Sequence, residues 1–260
     1  MNNNYGFNTF VTKDWLPLAE VLVESILAFS HYPITVNCIN FEHDFKNQRV
    51  NSKTIYLEHI NFYAVCMTKW LSLLENPYNI CAMLDADMIA TKEVDNLFYD
   101  NEIKIVTSEY PLMSKHPHNP FTNPIHQARI QDLCETFSKN TPKMNWVYAC
   151  GLVTPKHKNF IQELIEAISS FYERGIDSYI EDEGVLNALL VKYQVSQDLG
   201  YNHIPNSTLI NAYLRNNMND QELVSTYTIY ECPVRFYLLH GCKNPTLAKS
   251  ILDQIYELHI

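Results

Sequence analysis

Residues 80–84, ICAML, form an unbroken apolar run that begins shortly after Asn76-Pro77 and stops at Asp85-Ala86-Asp87. A short run without polar alternation, bounded by a turn signal, predicts a strand buried on both faces, as in the middle of a helix-covered sheet. Side chains two apart on an extended chain point the same way, so the Asp85 and Asp87 carboxylates can converge on one point. Two acids at the end of a buried strand are costly unless something positive lies between them. Mg²⁺ or Mn²⁺ meets that need, because hard divalent ions take oxygen ligands and keep positions open for substrate phosphates. A solvated turn that merely ends the strand is the plain alternative. The apolar run before the acids and Leu97-Phe98 after them weaken that alternative.

The chain around this strand is large enough for one sizeable core: 260 residues, 47% hydrophobic and only 18% charged. A net charge of −10 and a pI near 5.4 argue against nucleic acid or an anionic membrane surface as the main partner, since both select basic surfaces. The seven cysteines are scattered and never spaced Cys-x-x-Cys, which reads as buried thiols in a reducing compartment rather than disulfides or structural zinc. The opening MNNNYGFNTF lacks the charge and apolar core of a secretory signal, and no run reaches the length of a membrane span. The expectation is a cytoplasmic protein with no integral membrane segment.

Strand-like and helix-like pieces alternate along the first hundred residues. Residues 7–12 read as a strand; Asp14 can then cap a helix with Pro17 in its first turn and Leu18, Val21, Leu22, Ser25, Ile26 and Phe29 on one face. Residues 34–40 and 54–57 read as further strands. Asn61 caps a helix running to Glu75. This alternation predicts an α/β domain with a mostly parallel central sheet and helices on both faces, whose ligands bind at the carboxyl ends of the strands. In the second half, 103–107 and 144–153 read as strands. Residues 110–124 read as a Pro- and His-rich loop, and 125–137, 159–172 and a last segment starting at Asn244-Pro245 as helices. His116 and His118 in that loop have no nearby third ligand in the sequence, so a mobile acceptor-side loop is the better reading than a metal site.

MLDADMIATKEVDNLF resembles the Asp-x-Asp segment of nucleotide-diphosphate-sugar glycosyltransferases with the GT-A fold, a Rossmann-like architecture. The resemblance is greatest to the retaining family that contains glycogenin and the bacterial lipooligosaccharide galactosyltransferases. Three further pieces follow in the family's order. FVTKDWLPLAEVLVESI is similar to its first strand, loop and helix, which implies that Thr12 lies where the base is held. Glu181-Asp182-Glu183-Gly184-Val185-Leu186-Asn187 is similar to its Asp-Gln-x-x-Leu-Asn helix head, which makes Asp182 and Glu183 candidate catalytic acids. Their plain alternative is a helix start, where acids are favoured by the helix dipole in any protein. His240-Gly241-Cys242-Lys243-Asn244-Pro245 is a shortened form of the family's closing His-x-x-Gly-x-x-Lys-Pro. It implies His240 as a third metal ligand beside Asp85 and Asp87, and Gly241 and Lys243 as diphosphate contacts. The family also carries a lysine near the diphosphate at the place of Lys69, which by sequence alone reads as a surface residue on a helix. Ala149-Cys150-Gly151 replaces the family's Asn-Ala-Gly and so removes its sugar-binding asparagine, which leaves the sugar open.

The resemblance implies one GT-A domain over residues 1–260, with a nucleotide-binding half (1–107) and an acceptor-side half (108–260). It implies transfer of a sugar from a nucleotide diphosphate, UDP first among them, with retention of configuration and with Mn²⁺ or Mg²⁺ at the diphosphate. The donor would be bound through Thr12, Lys69, Asp85, Ala86, Asp87, Gly241 and Lys243, and the acceptor would be a glycan, a protein or a small molecule. Two rivals stand beside it. A metal-dependent nucleotidyltransferase would need a glycine-rich basic phosphate loop, and this chain has six glycines and no such loop. A non-catalytic nucleotide-sugar-binding protein would keep the metal site but need no reactive carboxylate.

Overall fold

The computed structural model describes residues 4–99, 103–111, 145–155, 158–173, 181–193, 236–238 and 244–259. In chain order the elements are β1 (Tyr5–Thr12), α1 (Leu16–Phe29), β2 (Ile34–Ile39), β3 (Val50–Ile55), α2 (Phe62–Leu74), β4 (Ile80–Leu84), β5 (Met88–Ala90), β6 (Lys104–Pro111) and β7 (Asn145–Pro155). They continue with α3 (Lys158–Glu173), α4 (Glu181–Tyr193), β8 (Phe236–Leu238) and α5 (Pro245–His259). Six strands form one sheet in the order β3-β2-β1-β4-β7-β6. β1, β2, β3 and β4 are mutually parallel, and β7 runs against both of its neighbours, β4 and β6. The fold is therefore α/β with a mixed, mostly parallel central sheet.

Helices cover both faces, and the strand sequences say why. β2 and β4 are buried along their whole length, so each needs cover on two sides. On one face Phe7, Val11, Val36, Ala82 and Leu84 pack with Ala19, Leu22, Val23 and Ile26 of α1. On the other, Cys81, Met83 and Leu152 pack with Trp70 and Leu73 of α2, Phe160 and Leu164 of α3, and Leu186 and Leu189 of α4. α5 lies outside α1, where Leu247, Ile251 and Ile255 meet Leu18 and Val21. Asn61 caps α2 as expected, accepting from the Ala64 N–H at 2.8 Å.

Several local expectations are corrected. Asp14 does not cap α1: it lies in a separate 3₁₀ turn (Lys13–Trp15), and α1 starts one residue after that turn with no side-chain cap. β3 begins at Val50, ahead of the expected 54–57. As the edge strand it leaves Asn51, Ser52 and Lys53 exposed, so it carries no apolar signal in that part. β6 runs on to Pro111, into what reads as a loop. β5 is an unexpected strand of three buried residues that pairs antiparallel with β8. The rest of the expected loop, with His116 and His118, and the expected helix at 125–137 lie outside the described residues.

The β1–β4 contact has one tight point. Gly6 is paired with Cys81, and a Cβ placed on Gly6 would stand 2.5 Å from ring atoms of Tyr78. That ring cannot readily move: it is 1% exposed and its hydroxyl is hydrogen-bonded to Thr35 Oγ1 at 2.9 Å. Gly6→Ala should therefore destabilise the fold by about 1–3 kcal/mol, as overpacking does. Urea unfolding measures this, and an unchanged midpoint would mean that the ring swings aside.

Candidate functional site

From β1 the chain goes outward to β2 and β3, then α2 carries it back across to β4 on the other side of β1. The connection reverses between β1 and β4, and the crevice at their carboxyl ends is where open α/β sheets bind ligands. Thr12 ends β1 there, half-buried, and Asp85-Ala86-Asp87 follows β4. Ala86 is buried, while both aspartates are partly open to solvent. The Met88 N–H bonds the Asp85 carbonyl at 3.1 Å, closing a turn around the pair.

Lys69 belongs to this site. Only 3% exposed, it donates from Nζ to Asp85 Oδ1 at 2.7 Å and to the Ala149 carbonyl, with the Phe10 and Trp70 rings 5.6 and 5.2 Å away. The surface-lysine reading thus fails. Burial alone would lower the ammonium's pKa, but the Asp85 and Asp182 charges and the bond to Asp85 outweigh it and hold the value above that of ordinary lysine. For Asp85 the balance is opposite. Removal from water outweighs the pull of Lys69, and with Asp87 and Asp182 adding repulsion the carboxyl is pushed up to about 6.

A buried polar chain fixes Lys69 from behind. Asn37 Nδ2 donates to Asn8 Oδ1 at 2.9 Å, Asn8 Nδ2 to Ser72 Oγ at 2.9 Å, and Ser72 Oγ to the Lys69 carbonyl at 2.8 Å. It links β2, β1 and α2 through the sheet. Sequence reasoning misses it, because asparagine in a strand carries no pattern that marks a buried partner.

Opposite Lys69, at the head of α4, Asp182 is buried and near enough for its charge to act on both Lys69 and Asp85. Its Oδ1 accepts from the Glu183 N–H at 2.8 Å, and Glu183 Oε2 accepts from the Ala149 N–H at 3.1 Å. The crevice therefore gathers Lys69, Asp85, Asp87, Asp182 and Glu183 from α2, the end of β4 and α4. Cys150 lies against the same group, its thiol held neutral by burial and then by the Asp85 charge. His240, Gly241 and Lys243 lie outside the described residues. The chain leading to them is anchored here nonetheless: Leu238 pairs with Met88, the residue after Asp87.

Among the described residues, no group of three or more His, Cys, Asp or Glu side chains is arranged to hold a metal ion. Asp85 and Asp87 carry carboxylate oxygens of the hard type, and Lys69 bonds the Oδ1 of Asp85. Carboxylate oxygens are the donor type that Mn²⁺ or Mg²⁺ takes, and the two aspartates fall short of a full protein ligand set among the described residues. A groove of about 730 Å³ between α1 and α5 is a different place, and its Glu20, Glu24, Asp253 and Glu257 would repel a diphosphate. Among the described residues no helix is long and apolar enough to cross a membrane, and Cys38, Cys81 and Cys150 are free thiols. No protein-family profile matches this chain, and no characterised protein is significantly similar to it in sequence.

Proposed function

We propose that this protein is a metal-dependent glycosyltransferase of GT-A architecture, transferring a sugar from a nucleotide diphosphate, UDP first among them, with retention. The observation that carries the reading is the buried Lys69–Asp85 pair at the switch point of the sheet, with Asp87 and Asp182 around it. A structural strand end has no use for two acids acting on one inaccessible lysine with a third, Asp87, beside them, and their net negative charge suits a divalent cation.

In this reading Asp85 and Asp87 hold Mn²⁺ or Mg²⁺, with His240 as the third protein ligand that the family resemblance implies. The ion would neutralise charge developing on the departing diphosphate. Lys69 keeps Asp85 ionised and fixes the rotamer of its carboxylate. Thr12, at the end of β1, faces the base, and Gly241 and Lys243 are the diphosphate contacts that the family resemblance implies. Asp182 is the acid placed to stabilise positive charge on the sugar as the glycosidic bond to phosphate breaks.

A thermal-shift screen of nucleotide sugars tests this. A UDP-sugar should raise Tm with Mn²⁺ and leave it unchanged in EDTA, since ligand at a hundred times its Kd stabilises the fold by about 2.7 kcal/mol. No shift with any nucleotide sugar and metal would end the proposal. Binding without release of UDP would leave a nucleotide-sugar-binding protein in its place.

A further inference from the structure

We infer that Glu183 is a positioning residue: with Lys69 it clamps the two backbone groups of Ala149 in a β-bulge, and through that strut it sets the place of Asp85. The inference deepens the transferase reading and rests on it for its kinetic consequence, though the clamp itself is open to an independent measurement.

The bulge is visible in the register. Ile105 of β6 pairs with Leu152 of β7, but the next β6 residue, Val106, pairs with Tyr148. Ala149, Cys150 and Gly151 therefore pass between two consecutive β6 residues without counterparts there. A bulge releases backbone groups from the ladder and re-aims them, and buried backbone groups must then find other partners. Here those partners are the candidate site. The Ala149 N–H goes to Glu183 Oε2 at 3.1 Å and the Ala149 carbonyl accepts from Lys69 Nζ, while on the β4 side the Cys150 carbonyl accepts from the Asp85 N–H at 2.8 Å, one position past the Leu84–Gly151 pair.

One buried residue thus has an anion on its N–H and a cation on its carbonyl, each in the charge-assisted sense that makes such bonds strong. The cation's other bond goes to Asp85 Oδ1 at 2.7 Å. Displacing Ala149 would move both supports of Asp85, namely Lys69 and the Cys150 carbonyl. The head of α4 is itself fastened, since Asn187 Nδ2 donates to the Glu183 carbonyl at 2.8 Å. Asp182 and Glu183 look alike in the sequence, yet they divide the work: Asp182 faces the charges of the crevice, and Glu183 holds the strand that frames it.

Three variants separate geometry from charge. Glu183→Gln keeps an oxygen that can accept from Ala149, Glu183→Asp keeps the charge but is one methylene too short, and Glu183→Ala has neither. Amide hydrogen exchange at Ala149, read by NMR on the full chain without ligand, should quicken about tenfold in the Ala and Asp variants and stay within about threefold of wild type in Gln. With a UDP-sugar and Mn²⁺, kcat for UDP release should fall about tenfold in Ala and Asp and recover in Gln, with KM little changed. Unchanged exchange at Ala149 in both Asp and Ala would overturn the clamp. So would a Gln variant as slow in turnover as Ala, because the carboxylate charge would then act directly. A wild-type protein that releases no UDP from any donor would overturn the transferase reading instead, and the exchange comparison would still decide the clamp. If Glu183→Ala fails to fold, the Asp and Gln pair makes the same comparison.

Discussion

Asp87→Ala should abolish the stabilisation of the fold by UDP and Mn²⁺ and lower turnover by about 10²–10³-fold, while Tm in EDTA stays near that of wild type. Asp87 is partly exposed at the mouth of the crevice, so truncating it opens no cavity in the apolar core. It removes one of two acids that would hold the cation, and with it the electrostatic stabilisation of the leaving diphosphate. The same loss should follow when wild type is treated with EDTA, and Mn²⁺ should reverse it in wild type alone. Calorimetry with UDP and Mn²⁺ checks the binding half of the expectation. Wild-type affinity in Asp87→Ala would remove Asp87 from the metal site.

The second large effect concerns stability. Lys69→Met keeps most of the side chain's volume but leaves Asp85 without its cation; breaking a fully buried pair costs about 3–5 kcal/mol, and the partial exposure of Asp85 sets the expectation at the low end, about 3 kcal/mol. The pH dependence has a definite sign. In wild type, Asp85 already titrates up at about 6, above an unfolded value near 3.9. Without Lys69 its folded value rises further. A raised carboxylate is a penalty that is present above the folded pKa and is relieved as pH falls through it. The deficit of Lys69→Met should therefore be largest at neutral pH and shrink toward pH ~5, where Asp85 takes up a proton. Urea unfolding of both proteins across that range measures it. A deficit independent of pH would mean that Lys69 stabilises only by packing against Phe10 and Trp70.

What the sequence discloses about this chain follows a physical rule. β2 and β4 are legible because strands buried on both faces must be apolar throughout, and α2 is legible because its cap is a side chain, Asn61. β3 is hidden in part because an edge strand has one side in water, and β5 because three residues carry no period. Within the site, the aspartates stand out by their spacing. Lys69 does not, since an amphipathic stem with a charged tip looks the same whether the tip meets water or a buried acid. The strut at Ala149 is harder still to see. Its chemistry lies in backbone groups, which every residue possesses, and only the missing β6 partners reveal that they are spoken for.

The small β5–β8 pairing bears on how the molecule comes to have a site at all. Met88 and Leu238 are joined side by side although on the order of 150 residues separate them along the chain, so their pairing must close the longest loop that any described strand pair closes. β1 to β4, by contrast, pair within the first 84 residues. During synthesis the parallel part of the sheet with α2, and with them Thr12, Lys69 and Asp85, has left the ribosome long before residue 236 is made. The scaffold thus precedes the closure of the crevice in time. Contacts of such separation also add least to an early folding nucleus, because their loop entropy falls due before they return any stability. The segment that pairs beside Asp87, residues 236–238, is made only after β1 to β4 and the two aspartates that follow them.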